Sequence, residues 1–265
     1  MTSSSTTRPT ALVTGASGGI GADIATLLAE QKYDLVLVAR SRGKLDELAA
    51  ALEKAHGVKS TVITADLTDP TAPEMIFKTL EHAGITVEVL INNAGLGSYG
   101  PFAEVDARTD LGLLSVNVVA LTHLSKLFLP KMIASKKGRI MNVGSTAGFL
   151  PGPLMAVYYA SKAYVLSLSV AMANELEGSG VTVTCLCPGA TKTAFDTTAG
   201  NDKTRLFKGK VMDSMYVART GVEAMMSGDV ICIPGFINRL MASTTGLAPR
   251  SILAKIARTY QEPAS

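Results

Sequence analysis

The sequence predicts a single α/β domain on a doubly wound parallel sheet of about seven strands, with helices on both faces. Three observations predict it. Short Val/Ile/Leu-rich runs alternate with helical patterns from residue 11 to residue 235. These runs show little polar alternation, the mark of strands covered on both faces by helices. The chain has 265 residues, 47% apolar and 18% charged, enough for one large core.

The elements follow in order. Strand 11–15 leads to a helix over 19–31, and strand 34–39 to a helix ending at Gly57, a good C-terminal stop. Strand 60–66 precedes a helix over about 70–83, and strand 87–95 a long helix over about 105–134. Strand 138–145 precedes a helix over about 155–178, strand 181–189 enters a loop, and 229–235 reads as the last strand. Residues 1–8 are polar and expected to be disordered, and 9–265 form the single domain. Within it lie a substrate loop at about 190–217 and a C-terminal extension at about 235–265. Right-handed crossovers gather the loops after the strands along one carboxyl edge, where a ligand site is expected.

Composition excludes several classes. The net charge is +3 with no basic block, which argues against a nucleic-acid groove. The start has no apolar core of a secretory signal, and no uninterrupted apolar run reaches about 18 residues. A cytoplasmic chain without a membrane span is expected. Cys185, Cys187 and Cys232 lie in strand-like runs and read as buried thiols. No His or further Cys completes a metal shell, so no metal is expected.

The first strand enters Thr14-Gly15-Ala16-Ser17-Gly18-Gly19-Ile20-Gly21. Gly15, Gly19 and Gly21 permit a tight turn and close approach to a pyrophosphate. The following helix N-terminus offers free N–H groups and the positive end of its dipole. The second strand ends at Ala39-Arg40, where an acidic residue would bind ribose hydroxyls. Arg40, assisted by Arg42, suits a 2′-phosphate instead, so the expected cofactor is NADP(H).

Tyr158 and Lys162 are spaced i, i+4 near the start of a helix and share a face, while Tyr159 turns away by about 100°. A fixed ammonium favours phenolate over phenol. Such a phenol can protonate a nascent alkoxide or deprotonate an alcohol. Ser145 ends the preceding strand and can hold the reacting oxygen.

These residues resemble the short-chain dehydrogenase/reductase family from about Ala11 to Pro234. Thr14–Gly21 resembles its TGxxxGxG turn, and Asn92-Asn93-Ala94-Gly95 its NNAG segment. Asn117, Ser145, Tyr158 and Lys162 match its catalytic tetrad. The resemblance implies adenine-side contacts at Asp66 and Leu67, and cofactor contacts at Asn93, Ala94, Gly95, Tyr158 and Lys162. It implies further contacts to nicotinamide amide and diphosphate at Pro188, Gly189, Thr191 and Thr193. By the same resemblance, Tyr158 is the general acid/base, Lys162 supports it and contacts the ribose, and Ser145 orients the substrate. Asn117 holds a water that relays protons to Lys162. One departure is that Ser17 and Gly18 stand where many NADP-using members carry a basic residue.

The substrate wall is expected to include Leu150, Leu154, Met155 and Phe195, beside Ser145 and Tyr158. The leading substrate is a small or medium apolar ketone or aldehyde. One alternative is a 3-oxoacyl group on a carrier protein, which would need cations at the site mouth, with Lys126, Lys131, Lys136 and Lys137 as candidates. Another is a redox sensor that holds NADP(H) without turnover. The resemblance implies a homodimer or homotetramer. The final segment has apolar and basic residues that could meet a membrane surface, but Pro249 interrupts it and the cations are spread. Docking on its own domain or a neighbouring subunit is the expectation.

Overall fold

A computed structural model describes residues 8–193, 195, 200, 204–205 and 211–263. The strands are β1 (Thr10–Thr14), β2 (Asp34–Ala39), β3 (Ser60–Thr64), β4 (Val89–Asn92), β5 (Gly138–Val143), β6 (Val181–Leu186) and β7 (Ile231–Cys232). They form one sheet in the order β3-β2-β1-β4-β5-β6-β7, every pair parallel. The chain order reverses beside β1, at the gap between β1 and β4. In open α/β sheets a ligand binds beyond the carboxyl ends of the strands at such a point.

One face carries α1 (Gly19–Glu30), α2 (Arg42–His56) and α7 (Ser214–Ser227). The other carries α3 (Ala72–His82), α4 (Ala107–Leu114), α5 (Leu121–Ala134) and α6 (Ala156–Glu175). Successive strand residues serve opposite cores. Val13 packs with Ile24, Leu28 and Leu45, whereas Leu12 packs with Ile76, Leu124 and Phe128. Side chains alternate across a strand, so both residues are apolar when both faces are covered. Each fully buried Leu or Ile contributes about 1.5–3 kcal/mol.

Gly57 ends α2 in the left-handed region at φ 67°, as expected. The long helix starts at Ala107 because the Asp106 side chain accepts the Arg108 N–H. Its centre, Ser115–Ala120, is a π turn. The unit Ala107–Ser135 is long and apolar enough to cross a bilayer by length and composition. Here Leu124, Phe128 and Met132 of that unit pack into the sheet core. The last strand is shorter than expected, only Ile231–Cys232. Arg8, placed in the disordered segment by sequence, is docked within ion-pair range of Asp34 (3.8 Å); residues 1–7 lie outside the described residues.

The lysine patch is corrected. Lys131, Lys136 and Lys137 immediately precede β5, at the amino edge of the sheet, so they stand opposite the expected site mouth. Lys131 is paired with Glu81 and Lys137 with Glu88. The two last helices, α8 (Phe236–Thr244) and α9 (Arg250–Gln261), fold back on the domain through Ala242, Ala257 and Gln261.

Candidate active site

The glycine turn is held from beneath. The Thr14 hydroxyl accepts the N–H groups of Asn93 and Ala94, both at 3.0 Å. The Asn93 amide donates to the carbonyls of Thr14 (2.9 Å) and Gly15 (3.2 Å). Asn93, expected at the cofactor, thus fastens β4 to the turn. Gly15 takes φ +67°, and a Cβ there would stand 2.8 Å from the Asn93 amide nitrogen. A Cβ on Gly21 would overlap the Gly15 carbonyl oxygen. Beyond Gly18 the space is open, with nothing within 4 Å of an added Cβ. Ser17, Gly19 and Ile20 border this opening at the N-terminus of α1, whose first N–H groups have no partner within the helix. Thr193 reaches over from the far side, its methyl carbon 3.0 Å from the position of a Cβ on Gly19.

This cradle fits the pyrophosphate of a dinucleotide. Arg40 is exposed at the end of β2, and its charge helps hold the Asp66 carboxyl below the usual range, after a larger effect from the Thr68 backbone N–H. Leu67 is buried beside Asp66. Arg42 points along α2 to Asp46, with Nε 3.1 Å from Oδ2. Arg40 is therefore the cation available to a 2′-phosphate, and Arg42 is already paired.

Tyr158 and Lys162 project from the first turns of α6. The Lys162 ammonium lies 5.8 Å from the Tyr158 ring centroid and donates to the Val143 carbonyl at 2.7 Å. Burial pulls the Lys162 pKa down from 10.5 to about 8, partly opposed by Cys185 and Cys187. At neutral pH the ammonium is still mostly protonated. Cys187 is pushed well above the usual thiol range, first by its hydrogen bond with Cys185 and then by burial. Ser145 lies just past β5, where its Oγ accepts the Ala147 N–H (3.1 Å) and donates to the Pro188 carbonyl (3.4 Å). That second bond joins the ends of β5 and β6.

Asn117 sits in the π turn, a local insertion frequent at functional sites. Its Nδ2 donates to the Leu96 carbonyl (2.9 Å) and to Ser161 Oγ (3.0 Å), and its Oδ1 accepts the Leu96 N–H (2.9 Å). Both amide hydrogens are thereby committed within the fold, and only the second lone pair of Oδ1 is left to hold a water. The side chain clamps the loop after β4, so Gly95 lies with the position of its absent Cβ 3.7 Å from the Lys162 ammonium.

The substrate side is built from several loops. Phe195 packs against Tyr158 with ring centroids 5.6 Å apart. Leu150 and Tyr99 flank a small cluster of Ala147, Met155 and Tyr159. Met155, expected to line the pocket, is only 2% exposed and packs beneath it. Leu154 adopts φ 67°, uncommon for a branched residue, and its carbonyl accepts the Gly100 N–H at 2.8 Å. Thr191 is buried, its hydroxyl donating to the Gly189 carbonyl at 2.9 Å. It therefore shapes the Pro188–Gly189 turn from within. Much of the expected substrate loop lies outside the described residues.

Sequence reasoning missed Gln261. It is 1% exposed, and its Nε2 donates to the Tyr159 hydroxyl at 2.7 Å. Its backbone carbonyl accepts the Tyr99 hydroxyl at 2.7 Å. The next residues tie down the substrate loop, since Arg205 N–H donates to the Glu262 carbonyl and Thr204 pairs with Pro263. The tail thus holds Tyr159 and both walls of the cleft. Nothing in the local pattern of residues 250–263 marks it.

Comparisons agree with this architecture. The model of the short chain dehydrogenase family matches residues 9–204. A very-long-chain 3-oxoacyl-CoA reductase of Phaeosphaeria nodorum is 38% identical over 180 residues, covering 66% of this chain and 53% of that protein. The chain thus spans about half the length of that curated relative. A short-chain dehydrogenase of Sphingobium yanoikuyae, solved in complex with NADPH, superposes with a TM-score of 0.81 at 35% identity, covering 90% of this chain and 94% of that one. A bulky-bulky ketone specific alcohol dehydrogenase of Comamonas testosteroni superposes with a TM-score of 0.77 at 34% identity, covering 90% and 93%. With its parallel sheet, glycine turn and Tyr158–Lys162 helix, the chain belongs to the short-chain dehydrogenase family.

Proposed function

We propose that the chain is an NADPH-dependent reductase of 3-oxoacyl thioesters. The observation that supports the chemistry is the Lys162 ammonium 5.8 Å from the Tyr158 ring centroid, with Ser145 just past β5 at the same carboxyl edge and a turn that fits a pyrophosphate nearby. NADPH, when held there, would supply the hydride. Gly15, Gly19 and Gly21 shape its phosphate cradle, with Ser17, Ile20 and Thr193 at the rim. Arg40 would hold the 2′-phosphate, Asp66 and Leu67 would border the adenine, and Ala94, Gly95 and the Pro188–Gly189 turn would border the nicotinamide side.

Ser145 turns its one hydroxyl hydrogen from the Pro188 carbonyl to the ketone oxygen and fixes its position. Tyr158 gives its phenolic proton to that oxygen as negative charge develops there. Lys162 lowers the cost of the phenolate left behind, because its charge is buried and close. Asn117 keeps the loop after β4 in register with Lys162 and offers Oδ1 to a water that resupplies the proton.

The curated relatives favour a 3-oxoacyl substrate over the small ketone expected from sequence. A coenzyme A thioester suits the chain better than one on a carrier protein, because three of the four lysines proposed for carrier docking, Lys131, Lys136 and Lys137, stand at the other edge of the sheet. A second reading, reduction of bulky ketones, is supported by the Comamonas neighbour and by the Tyr99, Leu150 and Phe195 wall. Assembly through the two long helices is supported by exposed Leu111, Val119 and Val170.

NADPH oxidation measured across 3-oxoacyl-CoA esters of increasing chain length, bulky ketones and small ketones tests the reading, with NADH in parallel. The proposal expects the highest kcat/KM for the acyl esters. A higher kcat/KM for ketones lacking a thioester would overturn the substrate assignment and leave the chemistry intact.

A further inference from the structure

The two C-terminal helices carry their apolar residues on the wrong side for a helix whose only task is to cover a domain. On α8, Phe236, Ile237, Leu240 and Met241 recur at the spacing of one face and point to solvent, with Phe236 73% and Ile237 79% exposed. The opposite side, with Ala242 and Asn238, faces the protein, and Asn238 donates to the Pro234 carbonyl at 2.9 Å. On α9, Ile252, Ile256 and Tyr260 form an i, i+4, i+8 stripe about half exposed, while Ala257 and Gln261 are buried. Each helix docks by small or polar residues and offers its bulky ones to the outside. Exposed apolar faces of this kind mark interaction surfaces.

Charge selects the occupant. Residues 230–261 contain no Asp or Glu but hold Arg239, Arg250, Lys255 and Arg258. Arg258 is paired with Glu262 at 3.6 Å, and Arg239 borders a groove it shares with Glu223 and Asp229. Arg250 and Lys255 are exposed, and neither is in an ion pair with a described residue. A symmetric pairing of two copies through this face would set cations against cations, because the same patch appears on both sides. Anionic lipid headgroups reverse that sign. Apolar residues beside unpaired cations on a helix surface are the pattern of a segment lying in the membrane interface.

We propose that α8 and α9 dock the chain peripherally on an anionic lipid surface. The docking element is packed on the active site itself. Asn238 lies against Gly189, and Gln261 reaches Tyr159 beside the catalytic tyrosine. A carbonyl compound dissolved in the bilayer would therefore leave it next to the cleft. The proposal goes beyond the reductase reading and does not depend on which carbonyl is reduced.

The test is sedimentation of the full chain with phosphatidylcholine vesicles, with and without phosphatidylserine. The expected result is roughly tenfold more chain on the anionic vesicles at low salt, a preference that falls as salt is raised. Arg250→Gln with Lys255→Gln should abolish the preference. Ile237→Ser with Leu240→Ser should abolish binding to both vesicles. Melting temperatures of both variants report whether the fold is intact, and NADPH turnover is not needed to read the result. No binding to anionic vesicles, equal binding to both kinds, or folded variants that bind like the parent would overturn the proposal. So would a self-association that Ile237→Ser with Leu240→Ser dissolves while vesicle binding is absent.

Discussion

The two sides of the cleft are built by different means. On the cofactor side, one continuous stretch from Thr14 to Gly21 supplies the turn, and two side chains, Thr14 and Asn93, fasten it to the end of the neighbouring strand. On the substrate side, Tyr99, Leu150, Phe195 and Gln261 come from four separate segments held together by long-range contacts. Local geometry makes the first side; tertiary closure makes the second. Changes on the first should act through chemistry or cofactor choice, and changes on the second through stability and substrate KM.

Tyr158→Phe separates the two sides most sharply. It removes one hydroxyl and leaves the packing against Phe195 and Tyr159 in place. Loss of the proton donor should cost about 10²–10⁴-fold in kcat. NADPH affinity, followed by fluorescence titration, should barely change. Turnover within tenfold of the parent would remove Tyr158 from the mechanism.

Lys162 gives the next largest effect, read in stability. Its folded pKa is about 8 against 10.5 for the exposed group. Between those values the unfolded chain holds a proton that the folded chain has lost, so folding becomes more favourable as pH rises. Below pH 8 the cost of the buried charge is present in full. Over pH 8 to 10.5 the parent should gain up to about 3 kcal/mol relative to Lys162→Met, measured by urea unfolding of both at each pH. Parallel curves for the two proteins would mean that the ammonium is solvated in the fold.

Arg40→Ala tests the cofactor side at its exposed rim. A charge-assisted contact to a 2′-phosphate contributes about 1.5–3 kcal/mol, which is about 10–100-fold in the NADPH constant. The NADH constant should hardly move. Arg42→Ala should do less, since Arg42 is paired with Asp46. Equal losses for both cofactors would assign Arg40 to the fold.

This contrast also explains what the sequence made legible. The strands could be read because each is covered on both faces, so Leu12 and Val13 are both apolar. The glycine turn could be read because its constraints lie within eight consecutive residues. Tyr158 and Lys162 could be read because helical spacing joins them. The committed amides of Asn93 and Asn117 could not, because their partners lie 78 and 44 positions away. Met155 looked like a pocket residue because an apolar side chain carries no mark of whether it lines a cavity or packs beneath one. The outward apolar face of α8 is equally silent, since periodicity shows that a helix has a face and not which way it turns.

Gln261 tests the substrate side and carries the smallest effect on chemistry. Its side chain is buried against Tyr159, whose phenol burial pushes above the usual range while the bond from Gln261 pulls the other way. Gln261→Leu should leave the Tyr159 hydroxyl buried without a partner, at about 1–3 kcal/mol of stability. Adding Tyr159→Phe removes the orphaned hydroxyl and should recover most of that loss. Substrate KM should rise several-fold in the single variant, because the tail also holds Tyr99 and the Thr204–Arg205 segment. The NADPH constant and kcat should stay near the parent values. If kcat fell as far as in Tyr158→Phe, the tail would belong to the proton-transfer machinery, and the division between a chemical side and a closing side would fail.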